Sequence, residues 1–320
     1  MTKEELLEKV VYIEDDWTEK TISMYVTTET TGLQLFNIVD RDLGELKEMF
    51  VNSVIAVILN RADFVVEDYS TSIKRVDVVH VYDLTDKLTD EMKKMIEVEV
   101  IVAPEYFDKS ETPIEKINGI YIVIKSNDNQ HSMTLYKKVT NVDKAYVAST
   151  FFLFGSQDQQ FERQKENMLK VTPSFQMLQV DGSIILVDLD KLEKPLHLDA
   201  ILERETIRDV TSLGRGLVVR NDHLINVCKK PSLCKKLRHA LSKSKVVKKL
   251  NDGTLTGAQI ISFVETKTKL KFKYNRDKTK FEIKSAAEAV RFIKLMDDDY
   301  LMSELTGEKY DSKDKDEMIG

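Results

Sequence analysis

Residues 118–139 read NGIYIVIKSNDNQHSMTLYKKV, and this stretch decides the fold. Two runs of period-two alternation flank Asn127-Asp128-Asn129-Gln130, which predicts a pair of antiparallel strands and their connection. AYVASTFFLF (145–154) predicts a third strand. SFQMLQVDGSIILVDLD (174–190) predicts a second hairpin, with Asp181-Gly182 at its turn because that pair tolerates positive φ. The middle of the chain therefore reads as an antiparallel sheet.

Outward from the sheet the period changes to that of a helix. On the N-terminal side, ELKEMFVNSVIAVIL (45–59) begins amphipathic and then turns apolar all round, the mark of a buried helix. LTDKLTDEMKKMI (84–96) has helical spacing at Leu84, Leu88, Met92 and Met95. On the C-terminal side, helices are expected over 197–213 with Asp199 near the start, over 232–241 from Ser232, and over 256–268 from Thr256. In that last helix Ile260, Phe263 and Val264 share a face. The lone Gly214-Arg215-Gly216 lacks the spacing of a phosphate loop and reads as a turn after the 197–213 helix. KLKFKYN (269–275) and KFEIK (280–284) form a short alternating pair. A final helix starts at Ser285, which with Glu288 has the spacing of a capping box. The fold class is α+β: a central antiparallel sheet, flanking helices and a basic helix-helix-hairpin C-terminal region. The chain divides into an acidic region, 1–190, and a basic, winged-helix-like region with an acidic tail, 191–320.

Charge sharpens this division. From 227 to 284 there are 17 Lys or Arg against 4 Asp or Glu, a net +13 inside a chain whose net charge is −6. Residues 1–110 carry 24 acids against 12 bases. A single-sign field of that size predicts a polyanionic partner, with DNA first. The candidate contacts are Lys229, Lys230, Lys235, Lys236, Arg238, Lys243, Lys245, Lys248 and Lys249 before the 256–268 helix. After it come Lys267, Lys269, Lys271, Lys273, Arg276, Lys278 and Lys280. Alternation places Lys269, Lys271 and Lys273 on one face, with Leu270, Phe272 and Tyr274 on the other. The helix between the two groups carries Gln259, Ser262 and Glu265, so contact with phosphate is expected and base reading is not. If about six lysines reach phosphate, log K should fall against log salt with a slope of about −5. The competing readings are that this face docks on an acidic protein, its own N-terminal region included, or on anionic lipid.

Other chemistry is weakly signalled. The two cysteines, Cys228 and Cys234, sit among lysines without zinc spacing and fit a reduced, cytosolic protein; a redox pair with lysine-stabilised thiolates is the functional alternative. His80, His131, His197, His223 and His239 share no metal or triad spacing. Glu282 and Lys284 in FEIK, near Asp277, and Asp188, Asp190 and Lys191 in VDLDK are the candidates for a metal-dependent nuclease. The expectation is a non-enzyme with no cofactor and no metal. Asp297-Asp298-Asp299 is expected to face the basic block or to cap the following turn. The N-terminus, MTKEELLEKV, has no apolar signal core, and the apolar run at 54–59 is far short of the ~20 residues that span a bilayer.

The tail LMDDDYLMSELTGEKYDSKDK (295–315) resembles the C-terminal pattern of the KwaB-like family, the soluble component of bacterial Kiwa antiphage defence systems. The matching positions are Leu295, Asp298, Asp299, Tyr300, Leu301, Ser303, Leu305, Thr306, Tyr310, Ser312 and Lys313, with Phe292 in the preceding helix. The resemblance implies a cytoplasmic, DNA-binding protein that self-associates as a homodimer or higher oligomer. It also implies recruitment to the inner face of the membrane by a membrane-embedded KwaA-like partner. It carries no catalytic residues.

Overall fold

The computed structural model describes residues 1–13, 20–61, 63–71, 77–126, 130–145, 154–157, 160–163, 168–267, 270–297, 300–302 and 309–311. Two compact units emerge. The first comprises Met1–Glu67 and Val76–Leu192, the second Asp68–Arg75 and Glu193–Gly320.

The first unit is built on a nine-stranded sheet. In chain order its strands are β1 (Lys20–Thr28), β2 (Gln34–Leu35), β3 (Val65–Asp68), β4 (Val78–Val81), β5 (Glu105–Tyr106), β6 (Ile117–Ser126) and β7 (Ser132–Lys138). Short ribbons β8 (Lys144–Ala145), β9 (Phe154–Gln157), β10 (Gln160–Arg163) and β11 (Met168–Leu169) follow outside the sheet. Then β12 (Met177–Val180) and β13 (Ser183–Leu186) rejoin it. The spatial order is β3-β4-β13-β12-β7-β6-β1-β2-β5. The α+β class holds. β6 and β7 pair antiparallel as the alternation predicts, with Tyr121 opposite Tyr136 and Ile122 opposite Leu135. Asn127, Asp128 and Asn129 of their connection lie outside the described residues, as do 146–153 of the expected third strand. Asp181 and Gly182 turn β12 into β13 at φ +46° and +72°, the conformation that an Asp-Gly pair favours. Only β2 and β5 pair in parallel among the registers described.

Both faces of the central strands are covered, which explains why β6 is buried along most of its length. On one face Ile120, Ile122, Ile124, Met133 and Leu135 meet Leu6 and Val10 of α1 (Lys3–Val10) and Phe50, Val51 and Val54 of α2 (Asp40–Val54). Thr2 and Glu5 close a capping box on α1. The apolar run after α2 continues as a wider π turn, Ile55–Leu59, that buries Ile58. The 84–96 segment is helical only over α3 (Asp90–Glu97), where Thr89 accepts from the Met92 N–H at 3.3 Å. Met92 and Met95 are fully buried there, and Leu84 is buried from the turns ahead of the helix.

A buried ion pair closes one end of β7. Lys137 Nζ lies 2.9 Å from Asp143 Oδ1 and also donates to Thr172. Burial pushes the Asp143 carboxyl up. Hydrogen bonds from the Thr140 N–H, from Lys137 and from the Thr140 hydroxyl outweigh it, so the group sits below its usual value. A carboxyl depressed in the folded state contributes stability above its unfolded pKa of ~4, and loses it as pH falls through the folded value. Asp143→Asn is therefore expected to cost about 3 kcal/mol at pH 7, because Lys137 is left buried without its counter-charge. The gap should narrow in urea titrations run from pH 5 towards pH 2; a gap that stays constant would sink this assignment.

The second unit is mainly helical. Its helices are α5 (Leu198–Leu217), α6 (Asp222–Cys228), α7 (Pro231–Lys243), α8 (Lys245–Asn251), α9 (Gly257–Lys267) and α10 (Ala286–Met296), after the short α4 (Leu189–Leu192) that ends the first unit. β14 (Lys273–Tyr274) and β15 (Phe281–Glu282) form a minimal hairpin between α9 and α10. α5 runs through Gly214-Arg215-Gly216, so this triplet is the last turn of a helix and not the turn after it. α7 starts one residue ahead of Ser232, with Pro231 at its first position, where a missing N–H costs nothing. Thr256 and Gln259 cap α9 reciprocally, at 2.8 and 3.3 Å. Ser285 caps α10, but Glu288 reaches back to the Lys284 N–H at 2.7 Å, one residue further than a capping box requires.

Candidate nucleic-acid interface

The lysines and arginines of the second unit sort by what they face. Lys235 is 7% exposed; its Nζ lies 3.1 Å from Glu193 Oε1 and 4.7 Å from the ring centre of Tyr69. Arg238 is hydrogen-bonded to Asp209, and Lys236 and His239 share Asp297 at 3.9 and 2.8 Å. Lys243 pairs with Asp68 and Lys278 with Glu265, both from exposed positions. Asp297 thus meets the basic block as expected, while Asp298 and Asp299 lie outside the described residues.

Of the candidate contacts, Lys229, Lys230, Lys248, Lys249, Lys271, Lys273 and Arg276 are exposed and make no ion pair with a described residue. Lys245 is exposed and Lys280 half-buried. Lys245, Lys248 and Lys249 stand three and four residues apart, so they form one stripe on α8, whose Val247 turns inward. The helix begins at Ser244, whose Oγ accepts from the Val246 N–H at 3.1 Å. Lys271 and Lys273 are exposed as the alternation predicts. Lys269 lies outside the described residues, and the Lys267 side chain is not described.

What holds the hairpin in place is aromatic. Phe281 is fully buried, and the rings of Phe272, Tyr274 and Phe292 lie 5.2, 5.5 and 5.3 Å from it, edge to face or tilted. The carbonyl of Phe281 accepts from the Val219 N–H at 2.9 Å, which ties β15 to the segment after α5. A Cβ on Gly257 would sit 2.3 Å from the Thr279 carbonyl oxygen, so only glycine lets the start of α9 approach the hairpin turn this closely. α9 departs from expectation on one face: Ile260, Ile261 and Val264 are buried and Phe263 is 44% exposed.

Three weaker signals take definite positions. Cys228 and Cys234 are free, buried thiols. A hydrogen bond from Cys228, then the Thr206 hydroxyl and Arg238, hold the Cys234 thiol below its usual value against its burial and the Glu203 charge. Glu282 pairs with Lys284 at 2.7 Å and Asp188 with Lys191 at 2.8 Å. Among the described residues no three His, Cys, Asp or Glu side chains are grouped to hold a metal ion.

Among the described residues, the structure defines an α+β protein with a basic helical C-terminal unit and no helix long and apolar enough to cross a membrane. The chain belongs to the Kiwa protein KwaB-like family, whose model matches residues 114–306. It is 25% identical to the Kiwa protein KwaB of Escherichia coli O55:H7 (strain RM12579 / EPEC), over 99% of each chain. No solved structure matches. Most of the tail positions quoted above fall within the matched span.

Proposed function

We propose that this chain is the DNA-binding component of an antiphage defence assembly, and that it holds DNA by the phosphate backbone without reading sequence. Family membership supports the defence role. The observation that carries the DNA reading is the exposed stripe of Lys245, Lys248 and Lys249 on α8 together with Lys271 and Lys273 on the hairpin. Five cations on two rigid elements suit a regular row of phosphates, and α9 brings no cationic side chain on its described exposed face. The adaptor reading, in which this face docks on an acidic protein, rests on the acidic first 110 residues. The family's membrane-embedded KwaA-like partner and self-association remain part of the proposal, as does the absence of catalysis.

Fluorescence anisotropy with two unrelated duplexes at several salt concentrations tests it. Equal affinities and a slope of log K against log salt of about −5 are expected. Reversing charge at Lys248, Lys249, Lys271 and Lys273 should flatten the slope by about 3 to 4 and abolish binding near physiological salt. If the variant binds DNA as before and instead loses assembly with its protein partners, the adaptor reading replaces this one.

A further inference from the structure

A cleft of about 520 Å³ opens beside the hairpin, lined by Val219, Arg220, Asp222, His223, Glu282, Ile283 and Lys284. Its construction follows from the β15 alternation. Phe281 and Ile283 turn inward, which leaves Glu282 and Lys284 on the outer side. Lys284 Nζ contacts Glu282 Oε2 at 2.7 Å, and Lys273 is the cross-strand partner of Glu282. Lys284, then Lys273 and Arg220, hold the Glu282 carboxyl below the usual carboxylate range. One carboxylate therefore has Lys284 in contact, Arg220 in the same cleft lining and Lys273 opposite it on the paired strand.

That arrangement is what a bound phosphate would require. Guanidinium and ammonium groups converging on a single oxyanion are the usual phosphate clamp, and Arg220 can pair with such an oxyanion through two parallel N–H bonds. The cleft's volume suits a small ligand. Val219, which is exposed, supplies apolar surface for a base. Asp222 supplies an acceptor for amino or hydroxyl groups.

We propose that this cleft binds the phosphate of a nucleotide, and that Glu282 occupies the phosphate position until the ligand displaces it from Lys284. Glu282 is a built-in competitor, and removing its charge tightens binding. The phosphate can come from a free mononucleotide or from a DNA strand; only the second source rests on the DNA reading above.

The test is calorimetric titration of the full chain with adenosine monophosphate at low ionic strength. Saturable binding is expected, about threefold tighter in Glu282→Gln, as loss of an exposed ion pair allows. Binding should be at least ~10-fold weaker in Arg220→Ala/Lys284→Ala, where two charge-assisted bonds are gone. All three positions are at or near the surface, and circular dichroism verifies that each variant folds. No saturable binding to either wild type or Glu282→Gln, or weaker binding to Glu282→Gln, overturns the proposal. A duplex that displaces the nucleotide identifies DNA as the source, and a duplex that binds without displacing it identifies the free nucleotide. If no duplex binds but the nucleotide does, the DNA reading fails and the cleft stands.

Discussion

Lys235→Ala is expected to destabilise the C-terminal unit by about 3–5 kcal/mol, the usual cost of stranding one partner of a buried ion pair. The reason lies in where its ammonium sits. Lys235 projects from the middle of α7, is 7% exposed, and faces Glu193 at 3.1 Å and the ring of Tyr69. The Tyr69 hydroxyl donates to the same carboxylate oxygen of Glu193 at 3.3 Å. Without the lysine, the Glu193 carboxylate keeps one hydrogen bond in a place that water reaches poorly. Glu193→Gln should cost less, because an amide is easier to bury than a charge. The double variant Lys235→Ala/Glu193→Ala should recover part of the loss through the coupling between the two sites. Lys249→Ala, on the exposed stripe of α8, should stay within about 0.5 kcal/mol of wild type. Urea unfolding followed by circular dichroism reads all four. Equal midpoints for Lys235→Ala and Lys249→Ala would show that the buried pair does not hold.

Phe281→Ala has an effect of the same size for a different reason: about 3–5 kcal/mol, from lost burial and the cavity left behind. Phe281 is fully buried and sits among Phe272, Tyr274 and Phe292. Its hairpin has only two paired positions, Lys273 with Glu282 and Tyr274 with Phe281, too few to hold itself. The ring anchors the hairpin to α10, and its backbone carbonyl anchors it to the segment after α5. Loss of the ring should therefore free the hairpin before the helices melt. Hydrogen exchange should show the amides near 273–282 losing protection first, while those of α5 and α7 keep theirs. Uniform loss of protection across the unit would refute the anchoring role. Phe281→Leu, which refills most of the space, should restore over half of the stability.

Local pattern accounts for the parts of the sheet that were readable. β6, β7, β12 and β13 alternate, and Asp181-Gly182 names its own turn. β1, which pairs with β6 from Lys20 to Thr28, carries no hairpin signal although KTISMYVTT is rich in β-branched residues. Its partner lies nearly a hundred residues away, and nothing local supplies the second strand. The short edge strands β2 and β5 have even less pattern. In the helical unit the starts at Thr256 and Ser285 were legible from their side-chain chemistry. The end of α5 was not, because its glycines lie in the last helical turn instead of beyond it.

The candidate site divides in the same way. Which residues are basic is plain from the sequence; which of them are already neutralised is not. Lys235, Arg238 and Lys243 find their acids at Glu193, Asp209 and Asp68, each remote along the chain. Lys248 and Lys249 make no ion pair with a described residue; the α8 stripe is exposed, and its nearest acid in sequence is Asp252, whose carboxyl Thr254 and then the two lysines hold below its usual value, without an ion pair to either lysine. The apparent row of cations thus thins once those already held in ion pairs are set aside. The spacing of Glu282 from Lys284 makes it a candidate catalytic carboxylate. That spacing places the two on one side of a strand, where they meet.

The membership of residues 68–75 in the C-terminal unit has a consequence for how the chain is made. Asp68 and Tyr69 leave the ribosome long before Lys243, Lys235 and Glu193 exist to receive them. At about 5–20 residues per second, roughly 6 to 35 seconds separate the two ends of these contacts. The sheet's first strands are synthesised before that segment and the remainder after it. The side chains of Asp68 and Tyr69 therefore lack these partners until the segments that carry them have been synthesised.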